Sequence, residues 1–189
     1  NTVHAIVQGR EGFLWIATEG GLVRFDGVDF RTYTRANTPG LPSDLIDDLM
    51  EDRAGAVWIS TSGGLARMRG GRIEAFGADK GIPATQVWRT FEDSSGRVWA
   101  LTASGLFRID QGHGSDHAER MALDATLTEN SRMVEGPDGS LWLGTADGLM
   151  RADADGNFRA VGAGGEVLAF GVDPAGIAWA GRRSGLEAC

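Results

Sequence analysis

Apolar residues recur along the chain in short bursts. The clearest burst reads Leu14-Trp15-Ile16-Ala17-Thr18, a five-residue run with no helical spacing, and close variants follow at Val57–Thr61, Val98–Thr102, Leu141–Thr145 and Ala178–Arg182. Runs this short and this continuous are strands packed on both faces. Their tryptophans, Trp15, Trp58, Trp99, Trp142 and Trp179, return every 37 to 43 residues, the period of a propeller blade. Each run follows a turn ending in glycine (Gly12, Gly55, Gly96, Gly139, Gly176) and precedes a Gly-Leu step (Gly21, Gly64, Gly105, Gly148, Gly185) that opens another strand.

The rest of the repeat is two weaker strands. Before each turn lies a strand with apolar first and fourth positions: Val3 and Ile6, Ile46 and Leu49, Val87 and Thr90, Met133 alone, Val167 and Phe170. An outer strand follows in four copies, at Phe30 with Tyr33, Ile73 with Phe76, Met121 with Leu123, and Phe158 with Val161; the fifth copy runs only into its third strand. The pattern predicts an all-β propeller of five consecutive four-stranded blades, the last incomplete, at about 1–43, 44–84, 85–127, 128–164 and 165–189. No helix of useful length is expected, and prolines in crossings such as Thr38-Pro39-Gly40-Leu41-Pro42 break the pairing between blades.

Composition narrows the function. The formal net charge of −8 argues against a nucleic-acid partner, which calls for a basic face. A single cysteine, Cys189, permits neither an internal disulfide nor a multi-cysteine metal site. No apolar run is long enough to span a membrane.

Several motifs have simpler readings than their chemistry suggests. The repeat tryptophans belong to the core rather than to a sugar-stacking platform. His113 and His117 lack a clear third metal ligand, the Asp153–Asn157 loop lacks the distal glutamate of a calcium site, and Gly162–Gly165 lacks the Lys-Ser/Thr ending of a phosphate loop. No nucleophile elbow occurs, and neither a cofactor nor a metal is implied. An acid and a base covary: Glu51 with Arg67, Glu92 with Arg108, Glu135 with Arg151, while the first copy keeps Arg24 against Gln8 and the fifth has Val172 and Ala188. Paired charges within each blade are the expected explanation, since an unpaired buried charge is expensive.

In a propeller the first strands line the channel and the crossings rim it, so positions that vary there are free to read a ligand. They are His4, Asp44, Asp47, Asp48, Gln86, Trp88, Arg89, Asn130, Arg132 and Glu166. From them the candidate ligand-binding set is Trp88, Arg89, Arg132, Asp47, Asp48, Gln86 and His4, with no catalytic residue among them. Trp88 offers a flat face, and Arg89 with Arg132 suit an anionic group. The expected ligand is a small polar molecule, a saccharide or a carboxylate.

The phrase Leu-Trp-Ile-Ala-Thr, then Gly-Gly-Leu-Val-Arg-Phe-Asp-Gly, with Phe30, Tyr33, Gly40-Leu41-Pro42, Ile46 and Glu51-Asp52, resembles the two-component regulator propeller repeat. That resemblance implies the periplasmic sensor of a bacterial receptor whose output is a histidine kinase, a hybrid kinase or a diguanylate cyclase. It also implies a larger propeller, joined to the remainder of a receptor chain. Apart from the resemblance, a first copy with nothing before its first strand and a fifth copy that reaches only its third strand should expose blade faces and sheet edges, so self-association is expected. The family carries no universal ligand motif to transfer to numbered positions. A propeller enzyme of lyase or glycosidase type and a protein-interaction scaffold are the alternatives, since the fold hosts all three.

Overall fold

The computed structural model describes residues 2–111, 116–153 and 156–189. His113 of the histidine pair, Gly112, and Ala154 and Asp155 of the Asp153–Asn157 loop lie outside the described residues. Five antiparallel sheets follow one another, each with its strands in chain order. The first holds β1 (Val3–Gln8), β2 (Leu14–Thr18), β3 (Gly21–Phe25) and β4 (Phe30–Tyr33). The second holds β5 (Ile46–Glu51), β6 (Val57–Thr61), β7 (Gly64–Arg69) and β8 (Arg72–Phe76). β9 (Val87–Glu92), β10 (Val98–Thr102), β11 (Gly105–Gln111) and β12 (Asp116–Arg120) make the third. The fourth comprises β13 (Arg132–Glu135), β14 (Leu141–Gly144), β15 (Gly148–Ala152) and β16 (Phe158–Gly164), and the fifth β17 (Ala169–Val172), β18 (Ala178–Arg182) and β19 (Gly185–Ala188). One turn of 3-10 helix, Ala78–Lys80, sits in a crossing.

The outer strand of the third blade differs from expectation. It is Asp116–Arg120, not the Met121–Leu123 segment, and Ala118 faces Ile109 across the pair. Met121 and Leu123 instead pack, half-buried, against the core between the third and fourth blades. An outer strand needs only one face covered, so the apolar pair just beyond it gave a misleading register.

Each hairpin is fixed by local chemistry. The glycine ending each first turn is left-handed, as at Gly55 (φ 81°), where an L side chain would be strained. At the next hairpin the threonine hydroxyl closing the Trp-bearing strand donates to the carbonyl of the glycine opening the following one: Thr18 to Gly21, Thr61 to Gly64, Thr102 to Gly105 and Thr145 to Gly148, at 2.7–2.8 Å. Arg182 stands where the fifth blade would have threonine. Its buried guanidinium reaches back to the carbonyls of Ala163 (2.6 Å) and Gly165 and pairs with Glu187 at 3.0 Å.

Four apolar clusters make up the core, and each lies between consecutive blades. Trp15, Ala17 and Leu22 of the first blade meet Ile46, Leu49, Val57 and Ile59 of the second, and the pattern continues with Trp58, Trp99 and Trp142 each covered by the blade that follows. These large indoles dominate the burial. Their N–H groups are satisfied by the preceding turn: Trp58 donates to Asp52 and Trp99 to Asp93 at 2.9 Å, and Trp179 to Asp173 at 3.1 Å. In the fourth blade Gly136 occupies the aspartate position, and Ser140 Oγ accepts from Trp142 at 3.0 Å instead.

The covarying acids and bases are not partners. Glu51, Glu92 and Glu135 accept backbone N–H groups from the turn of the preceding blade: Arg10 (3.0 Å), Arg53 (2.9 Å) and Ser94 (2.7 Å). Each is a clamp across a seam between blades. The fourth blade's turn has Pro137 at the donor position, with no N–H to offer, and the fifth blade has Val172 in place of glutamate. The arginines follow a separate logic. Strand pairing sets Arg24, Arg67, Arg108 and Arg151 directly opposite Trp15, Trp58, Trp99 and Trp142. Arg67 and Arg151 lie over the indoles of Trp58 and Trp142, at 5.3 and 5.1 Å. Arg67 pairs with Glu74 (2.8 Å) and with Asp116 of the next blade (2.5 Å), Arg108 with Glu119 (2.8 Å), and Arg151 with Asp138 (2.8 Å). The expected pairing of these acids and bases is therefore corrected: the glutamates hold backbone N–H groups and the arginines pair with other carboxylates.

Candidate functional site on the inner strands

The first strands of successive sheets lie side by side, β1 against β5, β5 against β9, and β13 against β17. Along β5 and β9 the buried positions are three apart: Ile46, Leu49, Val87 and Thr90 are buried, and Asp47, Asp48, Trp88 and Arg89 between them are half-buried. Register shifts sit at these places, between Ile46 and Asp48 and between Leu101 and Thr102 opposite Arg89 and Val87. Such bulges present consecutive side chains where a regular strand would hide one of them.

The side chains form a connected polar group. Arg89 Nη1 lies 3.8 Å from Asp48 Oδ2, and Gln86 Nε2 donates to Asp47 Oδ1 at 3.4 Å. His4 Nδ1–H donates to the carbonyl of Ile46 at 2.9 Å, a tautomer set by the carbonyl being an acceptor only; its Nε2 is 3.9 Å from Glu19. Exposed Arg132, at the start of β13, acts on both Asp48 and Arg89 through space. Burial pushes the Asp48 carboxyl above the usual carboxylate range, with Arg89 opposing the shift. Asp47 is raised by burial too, against the Gln86 hydrogen bond and the His4 charge. The same burial lowers the Arg89 pKa, although Asp48 favours its charged form. Asp47 Oδ2 and Arg89 Nε are buried and make no hydrogen bond. The group is thus a set of charges held at some cost on a rigid frame.

Of the seven residues named from the sequence, Gln86, His4 and Arg89 act on Asp47, and Arg89 and Arg132 act on Asp48. Trp88 lies on the same strand between Val87 and Arg89, half-buried and without a described ring partner. Glu129, whose charge raises Asp47, belongs to the neighbourhood and was not foreseen. Its position in the crossing before β13 was the available signal. Other rim positions serve the scaffold: Asp44 accepts the N–H of Arg35 at 2.7 Å, and Glu166 lies 3.7 Å from Arg183.

Two sizeable cavities lie elsewhere. One of about 780 Å³ is lined by Thr102–Gly105, the 120–127 crossing and 157–159, and one of about 710 Å³ by 31–33, 37–40 and 71–75. Both sit where a crossing meets the outer strands of the next blade. Crevices that recur at seams are a product of the repeat, whereas the inner-strand charges do not recur. Among the described residues no cluster of histidine, cysteine or carboxylate side chains could hold a metal ion, and His117 stands on β12 opposite Asp110.

Residues 1–20 and 40–63 match the family model of the two component regulator propeller. Those two stretches hold β1 and β2 of the first blade and β5 and β6 of the second. No curated protein matches the propeller by sequence. Among solved structures it is similar to two from B. thetaiotaomicron, described as the extracellular domains of a hybrid two component system and of a one component system. The first is 20% identical with a TM-score of 0.70, covering 98% of this chain and 26% of that one. The second is 18% identical with a TM-score of 0.76, covering 100% and 27%. The propeller therefore spans about a quarter of the length of these structures. Virginiamycin B lyase from Staphylococcus aureus is also similar, at 16% identity and a TM-score of 0.68, covering 99% of this chain and 69% of that one. At these identities the likeness is one of fold. No helix among the described residues is long and apolar enough to cross a membrane.

Proposed function

We propose that this propeller is the extracytoplasmic, periplasmic sensing part of a bacterial two-component or cyclic-di-GMP signalling receptor. It binds a small polar ligand reversibly and passes the event to an output module elsewhere in the receptor. The observation that carries this reading is the inner-strand group of Asp47, Asp48, Gln86 and Arg89, with His4 and Arg132 beside it. These charges vary from blade to blade, whereas the threonine staple recurs in the first four blades. Half-buried charges of both signs, next to the indole of Trp88, suit a ligand with hydroxyl or carboxylate groups and one flat face. The two extracellular-domain neighbours support the sensing role, and the repeats themselves support the link to signalling.

The test is a calorimetric screen of the purified chain against saccharides and small carboxylates, with product analysis of every compound that binds. Reversible binding in the micromolar range, about 8 kcal/mol, is expected, with the compound recovered unchanged. Trp88→Ala should weaken it. Accumulating product would establish the enzyme reading instead, and binding untouched by Trp88→Ala and Arg89→Ala would move the site off the inner strands.

A further inference from the structure

One level of the inner strands uses its charges differently from the scaffold. Asp48, Arg89 and Arg132 each stand three residues before the glutamate that ends their strand, Glu51, Glu92 or Glu135, so they share one repeat position on three consecutive blades. The first and fifth blades have Ala5 and Ala169 there. The level therefore holds one acid and two bases. The scaffold arginines Arg67, Arg108 and Arg151 each donate a hydrogen bond to a carboxylate at 2.8 Å. The two arginines of this level do not. Arg89 Nη1 lies 3.8 Å from Asp48, beyond hydrogen-bond reach, and its buried Nε has no acceptor. Arg132 has no ion pair among the described residues, and its like charge bears on Arg89. Two guanidiniums thus share one loosely held carboxylate.

A carboxylate from outside would satisfy both, since a guanidinium fork matches it in two parallel hydrogen bonds, whereas a neutral saccharide would leave the two positive charges facing each other. We propose, resting on the sensing role given above, that the ligand is a small carboxylate held between Arg89 and Arg132, and that it displaces Asp48, which takes up a proton from solvent. Asp48 is suited to the exchange. Burial already favours its neutral form, and Arg89 is the main charge opposing that shift. A ligand carboxylate on Arg89 cancels the opposing attraction and adds a like charge. Asp47, beside it on β5, acts in the same sense, and Arg132 on β13 acts against it. His4 on β1 and Glu129 act on Asp47, and Glu92, at the end of β9, holds the Arg53 N–H. β2 and β6 carry no titratable side chain in Leu14–Thr18 or Val57–Thr61. Because Asp48 binds its proton more tightly with ligand present than without, carboxylate affinity must rise as pH falls between those two values.

Isothermal titration of the chain with acetate, lactate, pyruvate and succinate, each beside its neutral amide, and with glucose tests this. Repeating it in two buffers of different ionisation enthalpy counts the protons. At least one carboxylate should bind, its amide roughly tenfold or more weaker, with uptake approaching about one proton and affinity rising several-fold from pH 7 to about pH 5. Asp48→Asn should bind the same carboxylate more tightly than the wild type at pH 7, without proton uptake. Uptake should persist in His4→Gln, which separates Asp48 from the nearby imidazole, and Arg132→Gln should weaken the carboxylate by roughly tenfold. Equal binding of acid and amide would overturn the proposal, as would absent uptake, uptake that survives Asp48→Asn, or silence from every carboxylate. Glucose binding that depends on Trp88, with no carboxylate binding, would overturn it while leaving the sensing role in place.

Discussion

Glu92 accepts the backbone N–H of Arg53 at 2.9 Å, across the seam from the second blade to the third. Arg108, the residue with which it covaries, is held by Glu119 instead. Glu92→Gln should cost on the order of 1 kcal/mol, the worth of one hydrogen bond to a charged acceptor near the surface. Arg108→Met should cost less than about 1 kcal/mol, since its ion pair is largely solvated. The double variant should equal their sum within about 0.5 kcal/mol in urea denaturation. A coupling well beyond that would mean the two side chains interact after all.

The proline at the fourth turn offers the reverse experiment. Val172→Glu alone places an acid opposite Pro137, which has no N–H, and should destabilise. Combined with Pro137→Ala it should recover about 1 kcal/mol of favourable coupling, because the missing clamp is then complete. Additive effects in a double-mutant cycle would show that the clamp is not transferable between seams.

Asp93 governs the third turn. Buried, it accepts hydrogen bonds from the Ser95 and Arg97 backbone and side chains and from Trp99 Nε1. Burial alone would raise its pKa, but the bonds from Ser95, Trp99 and Arg97 outweigh burial and hold the carboxyl below the usual range. Its contribution is therefore fully present above the unfolded pKa of about 3.9 and is lost as pH falls through the lower folded value. Asp93→Ala should cost roughly 2–4 kcal/mol at pH 7, with the deficit shrinking in strong acid. Equal deficits at both pH values would contradict the linkage.

The candidate site titrates in the opposite sense. Asp48 has a raised folded pKa, so the native state holds its proton more tightly than the unfolded chain. Stability from this group rises as pH falls through the raised value and levels off below about 3.9. Asp48→Asn should accordingly stabilise the fold at neutral pH, an advantage that fades toward pH 4, as is common where function holds a charge in a poor environment. Thermal melts across that range decide it, and a loss of stability at pH 7 would show that the Arg89 pair outweighs burial.

Much of this architecture is legible in the residues themselves. The Trp-bearing strands and the Gly-Leu steps fall where expected because each is specified by local chemistry: an apolar run, a left-handed glycine, a threonine staple. The outer strand at Asp116–Arg120 was not legible, since Ala118 is its one buried apolar residue and the stronger apolar pair follows it. The clamps were half-legible. Covariation exposed Glu51, Glu92 and Glu135, but a repeat cannot tell a partner in the same blade from one in the blade before, and a backbone N–H leaves no mark except where Pro137 removes it. The site is legible only as a departure from the repeat, which names Asp47, Asp48, Gln86 and Arg89 but not how they pair.

The central claim is that the inner-strand charges bind the ligand. Isothermal titration of one saccharide or carboxylate ligand into the wild-type chain and into Arg89→Met measures it directly. The account predicts saturable micromolar binding to the wild type, about 8 kcal/mol, and a loss of tenfold or more, about 1.4 kcal/mol, in the variant while its melting transition remains cooperative. Equal affinity for the two proteins would contradict it.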